Sequence, residues 1–327
     1  MIAVLLLAFG CPDSIESIEP FITNVMNGRK PSPNQLQKIK ERYLMIGGHS
    51  PLLDITKRQA EALEKILNAT NELTPKLLNS KTPELFRVFV GMRYWHPFIK
   101  DTLNEIKNSG AENIVALAMA PHYSKISTGN YIKDVNIAKT ELNIDTDISF
   151  INNWHTHPLF LEAVAEKIKN GISNFPPLMP SPLRGEGKGE GVQVIYSAHS
   201  LPKQLMLEDD PYAKQLNETI EGIIKLTGDI SWHLGFQSKG MSPGEWLEPT
   251  VDSILDKLSK DGKKYILIVP VGFVSDNIET LYDIDIVYKG MAESLGMIFH
   301  RTDSLNDSPK FIESLSCIIR DHLKQVV

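Results

Sequence analysis

Eight short apolar runs alternate with amphipathic segments along this chain, and that alternation restricts the fold more than any other feature. The runs cover 3–9, 85–91, 114–120, 147–151, 192–196, 230–236, 265–271 and 297–300. Helical patterns fill 35–45, 56–67, 98–107, 159–170, 212–227 and 250–258. Strand-sized apolar runs separated by helix-sized amphipathic segments predict an α/β fold of βαβ units, with parallel sheets flanked by helices on both faces. The opening run, Met1 to Gly10, lacks a basic start, and Cys11-Pro12-Asp13 is no small-residue cleavage site. It is also too short to span a bilayer. It reads as a central strand of a soluble, cytoplasmic protein.

The chain repeats itself. Phe89-Val90-Gly91-Met92-Arg93-Tyr94-Trp95-His96-Pro97 leads into a helix, a turn at Gly110, a strand and Pro121. Phe236-Gln237-Ser238-Lys239 runs to Trp246-Leu247-Glu248-Pro249, and a helix, a turn at Gly262, a strand and Pro270 follow. Pro97 and Pro249, Leu103 and Leu255, and Gly110 and Gly262 share one offset, 152 residues. Two similar lobes are expected, 1–158 and 159–327, with a ligand cleft between them and the last helix free to pack back on the first lobe. A length of 327 residues suits two domains of about 150 each. The tract 176–191 breaks the pattern: four of its sixteen residues are Pro and four are Gly, interleaved with alternating charge. Such a composition reads as a surface insertion; its glycines lack the strand–turn–helix setting and the Lys-Ser/Thr ending of a phosphate loop.

The net charge of −6 argues against a general nucleic-acid binder, which needs a basic stripe. Two distant cysteines, Cys11 and Cys317, point to a reducing compartment and cannot by themselves hold a four-cysteine iron–sulfur cluster. No Gly-x-Ser-x-Gly, Gly-x-Gly-x-x-Gly or His-Glu-x-x-His pattern is present, so hydrolase, dinucleotide and zincin readings lack support.

Chemistry gathers after two strands. Ser197-Ala198-His199-Ser200-Leu201-Pro202 puts an imidazole at a strand end between small residues. Ser275-Asp276-Asn277-Ile278-Glu279-Thr280-Leu281-Tyr282 puts a carboxylate at a helix start. Ligands of open parallel sheets bind outside the carboxyl ends of strands, and a His with a Glu there suits a divalent metal and proton transfer. Asp276, Glu279 and Asp283, spaced by three and four, are expected on one helical face among apolar neighbours, a row suited to cations or protons. Phe9, Tyr94, Trp95, Tyr123 and Trp246 lie near predicted strand ends and would suit a flat aromatic ligand. Arg29, Lys30 and Arg93 would pair with carboxylates on it. Ser50, Ser124 and Ser127 read as helix caps or ligand contacts, and the His155-Thr156-His157 pair as structural rather than metal-binding.

These residues resemble the ferrochelatases. The likeness runs from Val4 to about Leu315 and includes Gly28-Arg29-Lys30-Pro31, the stretch from Arg42 to Leu52, Met92-Arg93-Tyr94-Trp95-His96-Pro97 and Pro121-His122-Tyr123-Ser124. Its most specific parts are the His199 motif and the run from Pro270 to Asp283. The resemblance implies a chelatase-like pair of Rossmann-like lobes and insertion of Fe²⁺ into a porphyrin, protoporphyrin IX or coproporphyrin III, in haem biosynthesis. It assigns His199 and Glu279 to catalysis, His199, Glu279 and Asp283 to the metal, and Phe9, Arg29, Ser50, Tyr123 and Trp246 to the porphyrin. It further implies a monomer without a tightly bound cofactor, iron–sulfur cluster or transmembrane segment. The chain departs from the family at Asn277, where His or Cys is common, at Val287, where a further acid can stand, and at Phe9, where coproporphyrin users can carry Tyr. Gly28-Arg29-Lys30-Pro31 leans towards coproporphyrin and Phe9 leans away from it. A cobalt chelatase of cobalamin synthesis and a non-catalytic porphyrin- or haem-binding protein are the competing readings. The first typically presents more than one His to its metal, and the second leaves the acidic row unexplained.

Overall fold

The computed structural model of the protein describes residues 1–69, 85–176, 191–240 and 244–326. Apart from Pro176 and Gly191, the Pro/Gly-rich tract lies outside them. The described residues form two compact units, Met1–Phe160 with Asn306–Val327, and Leu161–Leu305.

Each unit is built on one four-stranded parallel sheet. In the first, the order is β2-β1-β3-β4, with β1 at Ile2–Ala8, β2 at Phe86–Met92, β3 at Asn113–Ala118 and β4 at Ile148–Ile151. In the second, the order is β6-β5-β7-β8, with β5 at Gln193–His199, β6 at Trp232–Gln237, β7 at Tyr265–Val269 and β8 at Ile298–Arg301. All eight strands fall on the apolar runs of the sequence. Every residue of β1 is buried, as expected of a strand with helices over both faces. On one face Leu5, Leu7 and Ala116 pack with Leu103 and Ile106 of the helix Ile99–Asn108 and with Val135 of the helix Thr128–Glu141. The helix Leu52–Ala69 and the C-terminal helix Pro309–Val326 belong to the same unit, where Arg320 Nη2 donates to the Leu67 carbonyl at 2.8 Å. In the second unit Ile195, Ile266 and Ile268 form the core with Val251, Leu255 and Leu258 of the helix Val251–Lys260. Each fully buried Leu or Ile stabilises the fold by about 1.5–3 kcal/mol.

The internal repeat is visible in the coordinates. The helices Ile99–Asn108 and Val251–Lys260 stand 152 residues apart, as do Asn113 and Tyr265 at the starts of β3 and β7. Gly110 and Gly262 both turn the chain with positive φ, 72° and 71°. Met92 N–H donates to the Pro97 carbonyl at 2.7 Å, and Phe236 N–H to the Pro249 carbonyl at 2.8 Å. Ala8 pairs with Met92 and Ala198 with Phe236, so Phe9 and His199 hold corresponding places at the carboxyl end of the first strand of each unit. The repeat breaks in one loop. Four residues, 93–96, separate Met92 from Pro97 in the first unit; twelve, 237–248, separate the corresponding Phe236 from Pro249 in the second.

Candidate metal and proton site

His199 is the last residue of β5, and Glu279 opens a π-helix, Glu279–Tyr288, that follows β7. β5 and β7 are neighbours in the sheet, so both side chains emerge at its carboxyl end. Gly272 makes the approach possible. Its N–H donates to the Ser197 carbonyl at 3.1 Å, and a Cβ there would lie 2.9 Å from both Cα and Cβ of Ala198. Asn277 starts the helix: its Oδ1 accepts from the N–H groups of Glu279 at 2.8 Å and Thr280 at 3.3 Å. Asn277 is thus used as a helix cap.

His199 Nε2 stands 3.7 Å from Glu279 Oε1, with the two side chains 35% and 27% exposed. His199 Nδ1 lies 2.6 Å from the Ser200 carbonyl oxygen. A carbonyl only accepts, so Nδ1 carries the proton in the neutral ring and Nε2 keeps its lone pair towards Glu279. The Tyr212 hydroxyl holds the same turn by donating to the His199 carbonyl at 3.1 Å. Burial pushes the Glu279 carboxyl above its ordinary range; His199 opposes the shift, the negative charge of Asp283 adds to it, and the Ser238 hydroxyl opposes it. Glu279 Oε2 is buried and makes no hydrogen bond among the described residues. An imidazole lone pair beside a carboxylate with a spare oxygen suits a divalent first-row cation.

The acidic row is rearranged. Asp276 precedes the helix. Its Oδ1 accepts from Arg301 Nη1 at 3.0 Å and from the Ser304 hydroxyl at 2.7 Å. Arg301 also forks onto Asp285 through Nε at 2.7 Å and Nη2 at 2.8 Å. The expected shared face of Asp276, Glu279 and Asp283 is therefore corrected: the first lies outside the helix, and its charge is neutralised by Arg301. The spacing rule of three and four also belongs to the α-helix, whereas the wider π turn changes the register. Asp283 accepts a hydrogen bond from the Ser238 hydroxyl. Among the described residues no group of three or more His, Cys, Asp or Glu side chains that could hold a metal ion is found.

The remaining sequence candidates are distributed as follows. In the second unit Trp246 is half-buried; its ring lies so close to Gly240 that a Cβ there would come within 2.6 Å of it. In the first unit Phe9, 45% exposed, follows β1 and packs with Tyr94 at 4.7 Å and Phe21 at 6.3 Å between ring centres. Ser50 is buried; its carbonyl accepts from the Cys11 thiol and its hydroxyl from Leu52 N–H. Tyr123 is half-buried beside Gly129, and Arg29 is exposed. Arg93 is not held ready for a ligand: Nε donates to Asp134 Oδ2 at 2.7 Å and the guanidinium stacks on Tyr94 at 4.7 Å. Lys30 reaches Glu19 at 3.6 Å. His155 Nδ1 lies 3.2 Å from Asn153 Oδ1, whereas His157 faces Asp321 at 3.9 Å, so the pair does not converge. Ser127 precedes the helix Thr128–Glu141 without capping it.

Sequence reasoning missed Gln237, Ser238, Tyr212 and Arg301 as parts of this site. One signal was available for the first two: they begin the stretch by which the second repeat exceeds the first.

The sequence model of the ferrochelatase family matches residues 1–323. A ferrochelatase of Herpetosiphon aurantiacus is 38% identical over 317 residues, which is 97% of this chain and 97% of that one. A coproporphyrin III ferrochelatase of Oceanobacillus iheyensis is 36% identical over 327 residues, covering 100% and 98%. Among solved structures, SirB from Bacillus subtilis with Fe³⁺ superposes with a TM-score of 0.55 at 11% identity, covering 98% of this chain and 94% of that one. That likeness shows the chelatase fold. With the family match running through both units, the chain belongs to the ferrochelatase family.

Proposed function

We propose that this protein inserts ferrous iron into a porphyrin as a step of haem biosynthesis, with His199 and Glu279 as its catalytic pair. The observation that carries this reading is the 3.7 Å approach of His199 Nε2 to Glu279 Oε1, with Nδ1 engaged by a carbonyl. A porphyrin carries two N–H protons in a flat ring that hides its nitrogens. Metallation therefore needs a bent ring, a metal presented from one face and two bases. His199 Nε2 takes one proton from a pyrrole nitrogen, and its tautomer is already set for that. Glu279 takes the other or ligates incoming Fe²⁺ through its spare oxygen. Fe²⁺ replaces both protons, so charge balances when two protons leave. Trp246 contributes a stacking surface, and Phe9, Tyr123, Ser50 and Arg29 of the first unit are the further porphyrin contacts that the family likeness suggests. Iron is substrate here, with no resident cofactor and no iron–sulfur cluster, and we take the chain to act as a monomer. Both cysteines are unpaired, and no helix among the described residues is long and apolar enough to cross a membrane; a cytoplasmic setting is consistent with both.

The test is a Soret-band assay with Fe²⁺ and, side by side, protoporphyrin IX and coproporphyrin III. Haem or coprohaem formation supports the reading, and the faster of the two names the substrate. Binding without turnover would replace it with a porphyrin-binding role. Turnover only of a corrinoid precursor with Co²⁺ would replace it with a cobalt chelatase.

A further inference from the structure

The peptide between His199 and Ser200 is clamped through both of its polar groups. Its N–H, from Ser200, donates to the Gln237 carbonyl at 2.7 Å. Its carbonyl, from His199, accepts from the Tyr212 hydroxyl at 3.1 Å. The next carbonyl along, that of Ser200, lies 2.6 Å from His199 Nδ1 and sets the tautomer of the ring. A peptide unit is planar, so the soft dihedrals on either side of the clamped one are ψ of His199 and φ of Ser200. Fixing that plane fixes both, and with them the place of the Ser200 carbonyl relative to the imidazole. The buried Ser200 hydroxyl holds the far side by donating to the Leu247 carbonyl at 3.0 Å. Tyr212 is brought back to His199 by a built turn. Asp209 takes a left-handed φ of 58°, and Asp210 Oδ1 accepts from Tyr212 N–H at 3.1 Å to open the helix Tyr212–Thr227. The Tyr212 side chain is buried; burial keeps the phenol protonated, and the negative charges of Glu279 and Asp210 act in the same direction. The hydroxyl is thus a standing donor.

We propose that Tyr212 is a positioning residue for proton transfer: its hydroxyl fixes the His199–Ser200 peptide, which sets the Ser200 carbonyl against Nδ1 and so keeps Nε2 bare as the base. This rests on the reading that His199 Nε2 takes a pyrrole proton. Free neutral histidine favours the opposite tautomer, with its proton on Nε2, so the ring reverts when the carbonyl is released. Loss of one neutral hydrogen bond is expected to shift the tautomer balance, and with it kcat, about tenfold.

Tyr212→Phe tests the idea, because it deletes the hydroxyl and keeps the ring. A second variant carries p-aminophenylalanine at 212, which restores an N–H donor at the same place. ¹⁵N spectra of the histidine-labelled full chain, without porphyrin and at a pH where imidazole is neutral, report which nitrogen holds the proton; the His199 signals are those missing from His199→Ala. Steady-state metallation is measured alongside. The wild-type protein is expected to show Nδ1 protonated and Nε2 bare. In Tyr212→Phe the proton is expected to move largely to Nε2, with kcat about tenfold lower and KM for porphyrin unchanged. The aminophenylalanine variant is expected to recover the wild-type tautomer and most of kcat. A merely structural role would lower the melting temperature without moving the tautomer. An unshifted His199 tautomer in Tyr212→Phe, or a shifted one at wild-type kcat, overturns the inference and leaves the metallation reading intact. Wild-type protein that does not metallate porphyrin overturns that reading and, with it, the role of Tyr212 in proton transfer.

Discussion

Gly272→Ala is the sharpest probe of how the site is assembled. A Cβ at this position would lie 2.9 Å from Ala198 Cα and 2.9 Å from Ala198 Cβ. Carbon atoms in contact prefer about 3.5–4.0 Å, so the two segments must part by roughly 0.6–1 Å. Neither partner has a flexible end that can swing aside: one is backbone and the other a methyl fixed to it. Ala198 is fully buried and precedes His199, while Gly272 leads to the cap at Asn277 and on to Glu279. The displacement therefore passes into the spacing of the catalytic pair. Overpacking of this kind costs about 1–3 kcal/mol of stability, and a misplacement near 1 Å costs on the order of 100-fold in rate. The assays are urea unfolding and initial rates from the Soret band. Gly290→Ala is the matched control: nothing lies within 4 Å of its added Cβ, and the residue is exposed in the helix Lys289–Ser294. It is expected to keep full activity and gain about 0.5–1 kcal/mol. Wild-type rate and stability in Gly272→Ala would refute the claim that close strand packing sets the pair.

Other outcomes follow from the same geometry. Arg301→Met strands Asp276 and Asp285 without their cation; with 13% of Arg301 and 19% of Asp276 exposed, the loss is expected near the 3–5 kcal/mol of a broken buried pair for the Asp276 contact, moderated at Asp285, which is 35% exposed. Urea midpoints read this, and a loss under about 0.5 kcal/mol, the size of an ordinary surface change, would contradict it. Glu279→Gln is expected to abolish metallation yet stabilise the protein at neutral pH. The folded carboxyl holds its proton above the ordinary glutamate value of about 4.3, so its burial penalty is absent below that pH, grows as pH rises through it, and is fully present once the folded group ionises. Melting curves from pH 4 to 8 should show the variant's advantage shrinking towards the acid end, and an advantage independent of pH would count against the assignment. Asn277→Ala removes the cap of the Glu279 helix and is expected to cost about 1 kcal/mol. An unchanged melting temperature would show that the cap is replaceable.

Much of the fold was legible because burial on both faces of a parallel sheet forces continuous apolar runs, and each of the eight runs became a strand. The repeat was legible through Pro97 and Pro249 and through glycines that must take positive φ. His199 and Glu279 were found because each follows a strand within a polar motif. The helix Thr128–Glu141 went unassigned because its apolar residues do not fall on a clear stripe. Asp276 was placed wrongly because its partner, Arg301, lies on β8, and no spacing rule links residues 25 apart. The π turn itself has no pattern of its own, so an α-helical face was drawn through residues that do not share one. Ser238 escaped because a lone Ser after a strand is commonplace, and only the coordinates show its hydroxyl reaching Asp283.

The most direct measurement is metallation by His199→Ala, with porphyrin binding followed in the same cuvette. Loss of about 10²–10⁴-fold in turnover with porphyrin affinity intact is the predicted result, as for removal of a general base. A variant that makes haem at the normal rate would show that the imidazole facing Glu279 takes no part in the reaction.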